Sequence, residues 1–177
     1  MNEEQFEEAI YESLDVDLIC TTFRPTFGQL FQMLRGFDHP YHPVEMEVQD
    51  LSELGFDQVD DYWGLRSDDP DVGDDVLVWL FPLVDGIDVY HHHGPFDGFR
   101  LSYCVLRNSP DHLTIYLTMI TRLAEAFSAT AYYQTGEMDL GSPPNLAPVE
   151  TDAWKIIEYW RNQGIEPGSH EALRLDF

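Results

Sequence analysis

Residues Phe99–Tyr133 read FRLSYCVLRNSPDHLTIYLTMITRLAEAFSATAYY, a strand, a break, a long helix and a second strand. Phe99, Leu101, Tyr103 and Val105 alternate with Arg100, Ser102, Cys104 and Leu106. That two-residue period belongs to a strand with one strongly apolar face. Asn108-Ser109-Pro110-Asp111 interrupts it, with Ser109 suited to a helix N-cap and Pro110 to the first helical position. Leu113, Tyr116, Leu117, Ile120, Leu123, Ala124 and Phe127 then recur at three- and four-residue spacing, opposite Thr114, Thr118, Thr121 and Glu125. This is the signature of a core.

A weaker echo lies upstream. Cys20-Thr-Thr-Phe-Arg-Pro25 precedes a helix and a strand, as Cys104-Val-Leu-Arg-Asn-Ser-Pro110 does. Two strand–helix–strand units with a hairpin inserted at 76–93 predict a split βαβ-like arrangement. The expected fold class is α+β, a mainly antiparallel sheet with helices on one face, in a single domain spanning 1–177.

Working outward, residues 3–14 predict a short helix with Phe6, Ile10 and Leu14 as a thin apolar stripe and Glu3, Glu4, Glu7, Glu8 and Glu12 turned outward. Asp15–Phe23 reads as a strand, and Phe27, Leu30, Phe31 and Leu34 as a helix closed by Gly36. His39-Pro-Tyr-His-Pro43 is expected to be a loop because of its two prolines, and Val44–Val48 a strand. Val76–Leu83 is strongly strand-like. Asp85-Gly86 is a favoured hairpin turn, and Ile87–His93 runs back. Residues 134–150 read as a loop, followed by a helix capped by Thr151 with Trp154, Ile157 and Trp160 on one face. A last helical turn is expected within 169–177.

Composition narrows the function. The chain has 24 aromatic residues and an apolar share of 44%, which argues against disorder despite a net charge of −24. No apolar run approaches the ~18–20 residues that span a bilayer, and MNEEQFEEAIYESL lacks the pattern of a secretory signal. A cytosolic location is therefore expected. Cys20 and Cys104 are too few for a disulfide framework and read as buried thiols.

The acids are concentrated. Residues 1–17 hold seven acids and no base, and residues 50–75 hold ten acids and one base, Arg66. Together they carry two thirds of the net charge. Such a field opposes binding to nucleic acid or anionic membrane and favours a basic partner. A halophile's acidic surface would also explain the single lysine, Lys155, but predicts acids spread evenly along the chain.

Most of 50–75 reads as a long loop, and long loops inside compact domains are disproportionately functional. Within it Tyr62 and Trp63 interleave with Asp57, Asp60, Asp61, Asp68, Asp69, Asp71, Asp74 and Asp75. Aromatic anchors rimmed by charge are what a tight interface uses, so these ten residues are the candidate partner-binding set. Two plainer readings stand beside it: a solvated loop, and a Trp63 that pins the loop to the core.

Other chemistry has less support. His39, His42 and the His91-His92-His93 run supply metal-type ligands. Adjacent strand residues point to opposite faces, so at most His91 and His93 could join the loop pair. There is no nucleophile elbow, phosphate loop or paired-cysteine motif, so no catalytic residue, metal or cofactor is expected.

The acidic N-terminal half and the segment FRLSYCVLRNSPDHLTIYLTMITRLAEAFSATAYY resemble the immunity proteins of bacterial polymorphic-toxin and secretion-delivered toxin systems. The resemblance implies a non-catalytic inhibitor that binds one cognate protein toxin and blocks its active site. The toxin would act in the cytosol, as a nuclease or a nucleotide- or NAD-consuming enzyme. Rival expectations are a DNA-mimic inhibitor of DNA-binding proteins and a metal-dependent enzyme built on the histidines.

Overall fold

A computed structural model describes residues 1–26, 29, 41–43, 63–67, 76–85, 87–88, 95–134 and 136–175; at 41–43, 63–67, 76–77 and 87–88 it describes the backbone alone. Helices α1 (Glu3–Tyr11), α2 (His112–Ala126) and α3 (Ala147–Asn162) accompany eight strands. The strands are β1 (Leu14–Cys20), β2 (Tyr41–Pro43), β3 (Trp63–Ser67), β4 (Val76–Val84), β5 (Ile87–Asp88), β6 (Gly98–Tyr103), β7 (Ala129–Tyr133) and β8 (Met138–Gly141). They form one sheet in the order β2-β3-β4-β6-β1-β7-β8, with β5 added to β4, and every pairing is antiparallel. The fold class is α+β.

The centre of the sheet follows from the stretch 99–133. Strands β6 and β7 both run antiparallel to β1, so they run parallel to each other with β1 between them. With α2 as the crossover this is a split βαβ unit. Register puts Leu14, Val16, Leu18 and Cys20 opposite Tyr103, Leu101, Phe99, Tyr133, Ala131 and Ala129 on one face. Tyr116 of α2 stacks on Tyr103 at 4.6 Å, and its hydroxyl reaches the carbonyls of Leu101 (3.0 Å) and Leu14 (3.2 Å). Tyr133 reaches α3, donating to Asp152 at 3.2 Å. Both helices thus cover the same face, and α1 lies on α3. The side chains between are fully buried: Tyr103, Tyr116, Tyr133, Phe99, Leu14 and Leu18 are under 2% exposed. Burying an apolar chain of that size stabilises the fold by about 1.5–3 kcal/mol.

Several expectations need correcting. The strand that opens the 99–133 stretch ends at Tyr103, and Val105 and Leu106 are buried in the turns after it. Helix α2 then begins at His112, not at Pro110: the His112 N–H bonds the Ser109 carbonyl (2.9 Å), so Ser109–Asp111 form a tight turn and no side chain caps the helix. Tyr41–Pro43 is a strand despite Pro43. It lies at one edge of the described sheet, the position where strands tolerate proline. Residues 63–67, expected within a long loop, are a strand between β2 and β4. Residues 138–141, also expected as loop, pair with β7 after a turn in which Gln134 (φ 53°) and Gly136 (φ 91°) take left-handed backbone. Helix α3 starts four residues before Thr151, with Pro148 in its first turn and Asn145 accepting the Ala147 N–H.

Other expectations hold. Asp85, at φ 54°, turns β4 into β5, with Val84 opposite Ile87. Thr26 and Gln29 exchange hydrogen bonds, but apart from Gln29 the helix expected over 27–36 lies outside the described residues. A 3-10 turn spans Ala172–Arg174. Val44–Val48 and the run-back after Asp88 lie outside the described residues. Among the described residues no helix is long and apolar enough to cross a membrane.

Candidate interaction surface

Helix α1 is short, and its ends and docking hold it. Asn2 Oδ1 accepts the Gln5 N–H and Gln5 Oε1 accepts the Asn2 N–H, both at 2.9 Å, a reciprocal capping box. Glu3 and Glu4 sit in the first turn, where the helix dipole favours negative charge. Ala9 and Ile10 are buried, and Phe6 meets Tyr159 of α3 edge-on at 6.4 Å. Trp160 donates its indole N–H to the Ile10 carbonyl at 3.1 Å and meets Tyr11 edge-on at 5.9 Å. Gln5 also donates to Glu137.

This docking leaves Glu3, Glu4, Glu7, Glu8 and Glu12 exposed. Among the described residues none of the five lies within ion-pair distance of a cation. Like charges four apart, as at Glu3/Glu7 and Glu4/Glu8, cost an isolated helix about 0.2–0.5 kcal/mol per pair. A basic surface laid against α1 would relieve that repulsion.

Beside this face a groove of about 440 Å³ runs between α1 and α3. Phe6 and Tyr159 form its floor, and Glu3, Glu158 and Asp152 contribute carboxylates. Asp152 is 4% exposed and already served: it accepts from Tyr133 and from Lys155 Nζ (3.0 Å), and the amino group of Met1 lies 4.0 Å away. Burial pushes the Tyr133 hydroxyl well above its ordinary value, and the Asp152 charge adds to it. The Tyr159 hydroxyl is raised first by its hydrogen bond with Tyr11.

A second polar group lies on the sheet face away from α2. Arg100 grips Asp17 with two parallel hydrogen bonds, Nε to Oδ1 at 2.6 Å and Nη2 to Oδ2 at 3.0 Å, with both side chains largely buried. Asp15 accepts from Ser102 (2.5 Å) and Ser13 (3.1 Å). Burial raises its pKa above the ordinary value; those two hydroxyls and the Arg100 charge oppose the rise. These side chains are paired among themselves across β1 and β6, an arrangement that ties strands together.

Of the residues expected from sequence to bind a partner, Asp57, Asp60, Asp61, Tyr62, Asp68, Asp69, Asp71, Asp74 and Asp75 lie outside the described residues. Trp63 opens β3, its backbone opposite Leu80. The chain enters β3 from the run ending at Tyr62 and leaves it into the run beginning at Asp68. A strand thus interrupts the stretch that reads as one acidic loop in the sequence. His39 and His91–His93 also lie outside the described residues, and His42 is in β2. Among the described residues no three His, Cys, Asp or Glu side chains are grouped to hold a metal.

The sequence pattern puts Trp154 on the buried face of its helix, and the structure corrects this. The face turned to the core is Val149, Asp152, Ala153, Ile156, Ile157 and Trp160, while Trp154 is 41% exposed. The signal is present in the spacing, since Val149, Ala153, Ile156 and Trp160 make a continuous helical stripe without it. The groove is not legible in the sequence, because it joins residues about 150 positions apart. No family model, curated protein or solved structure matches this chain.

Proposed function

We propose that the chain is a cytosolic immunity protein that neutralises a cognate protein toxin by occluding its basic active site. The observation that carries this reading is the outward face of α1, with four exposed glutamates on a capped and docked helix and a fifth, Glu12, at its C-cap, none within ion-pair distance of a cation among the described residues. The ten acids of 50–75 extend the same sign of charge along the chain. Toxins that act on nucleic acids or phosphorylated nucleotides have basic clefts, because they must neutralise phosphate. Carboxylates at 57–75 and on α1 take the place of those phosphates. Tyr62 and Trp63 bury against the rim of the cleft. Long-range attraction makes association fast and strongly dependent on salt.

The test begins with a pull-down from the native host at low salt, followed by titration of the captured toxin. Replacing Asp60, Asp61, Asp68 and Asp69 together by Asn is expected to weaken binding at least tenfold, mainly through slower association, and to flatten its salt dependence. Unchanged affinity would sink the mechanism. Inhibition of several unrelated DNA-binding proteins, instead of one partner, would favour a DNA mimic.

A further inference from the structure

We infer that the groove between α1 and α3 seats an arginine side chain presented by the basic protein partner. This rests on the reading above and deepens it, by naming a contact site among the described residues. Three features of the groove converge on a planar cation.

The floor is aromatic. Phe6 and Tyr159 meet edge-on at 6.4 Å, and both line the groove. An aromatic face attracts a cation held over it, and a guanidinium stacks there better than an ammonium. The rim is anionic. Glu3 comes from α1 and Glu158 from α3, so carboxylates flank the floor from two elements, and both are exposed and without an ion pair among the described residues. The third feature is a cation already present. Lys155, the chain's one lysine, lines the groove and gives its ammonium to Asp152, which the Met1 amino group also approaches at 4.0 Å; neither Glu3 nor Glu158 lies within ion-pair distance of a cation among the described residues, although the Glu158 charge acts on Arg161 from farther off. The carboxylate deepest in the groove thus already has its own cation, and those nearer the mouth do not.

Charge complementarity decides the occupant. With a net charge of −24, the chain repels anionic ligands at long range, and an aromatic-floored groove with an acidic rim favours an apolar stem that ends in positive charge. Arginine meets both demands. A docked guanidinium also lowers the repulsion between Glu3 and the other glutamates of α1.

The experiment uses the full ¹⁵N-labelled chain and three capped tripeptides, Gly-Arg-Gly, Gly-Lys-Gly and Gly-citrulline-Gly, at low salt. The arginine peptide is expected to shift the amides of Glu3, Phe6, Lys155, Glu158, Tyr159 and Asn162 in a saturable way. The lysine peptide should bind more weakly, and the uncharged citrulline peptide should leave these amides in place. Glu3→Gln combined with Glu158→Gln, both at exposed positions, should weaken arginine binding about tenfold. Tyr159→Leu keeps the bulk of the floor and removes its π face, and it should weaken arginine more than lysine. If the peptide moved other acidic residues while the groove stayed still, or if the double variant bound unchanged, the groove assignment would fall and the inhibitor reading would stand. If the groove bound arginine but the captured toxin was indifferent to Glu3→Gln/Glu158→Gln, the groove would not be the partner's seat. A toxin indifferent to every acid replacement removes the inhibitor reading itself.

Discussion

Asp15 and Gly98 show how much of this fold rests on single positions. Asp15 is a carboxylate whose burial raises its pKa above 3.8, with two serine hydroxyls and Arg100 pulling the other way. From 3.8 up to that raised value, the native state binds more protons than the unfolded chain. Stability contributed by this group is therefore greatest at acid pH and is lost as pH rises through the window. Asp15→Asn is expected to remove that slope and to stabilise the protein at neutral pH, as read from urea midpoints at several pH values. A steeper slope in the variant would contradict the assignment. Gly98 pairs with Ile19 where β6 crosses β1, and a Cβ there would fall on the carbonyl oxygen of Leu18. Backbone cannot yield as a side-chain tip does, so Gly98→Ala should cost about 3 kcal/mol. Gly164 is the useful contrast: its φ is +81° but nothing lies within 4 Å of where a Cβ would sit, so Gly164→Ala should cost only the left-handed strain, about 1–2 kcal/mol. Equal costs in thermal melts would refute the distinction.

At the scale of elements, α1 is the part most dependent on its neighbour. Nine residues form too short a helix to persist alone, and its glutamates repel one another. Trp160→Phe keeps most of the ring contact with Tyr11 and removes the indole hydrogen bond to Ile10. The expected cost is about 1 kcal/mol, felt locally: amide exchange of residues 6–11 should quicken several-fold while β1 stays protected. Elements with a strong period are legible in the residues themselves. The alternation of Phe99, Leu101 and Tyr103 and the stripe from Leu113 to Phe127 reappear as β6 and α2. What the sequence hides lacks a local signal. Only Leu140 of β8 is buried, so its residues have no alternation to read, and its place comes from pairing with β7. Pro43 argues for a loop until it is known to lie in an outer strand. Trp154 argues for a core by its size, while the geometry of α3 turns it out.

For the whole molecule, the dominant quantity is the net charge of −24. Self-repulsion opposes compactness, and salt weakens it as the Debye length falls from about 30 Å at 0.01 M to about 10 Å at 0.1 M. The melting temperature should rise by several degrees over that range in NaCl. A protein that folded only at molar salt would instead be a halophile's domain. The acidic partner surface is legible as composition and not as shape: a run of aspartates states its charge, but strand β3 divides that run, and the α1–α3 groove exists only when distant residues meet. The position of β1 has a consequence of another kind. It is the first strand along the chain, yet its partners are residues 98–103 and 129–133. Roughly 80 residues separate β1 from β6 and roughly 110 separate it from β7, so both pairings close long loops. Until β7 pairs, the second edge of β1 has no hydrogen-bonding neighbour in the sheet. Loop-closure entropy therefore makes closing the centre of the sheet slow for a protein of this size.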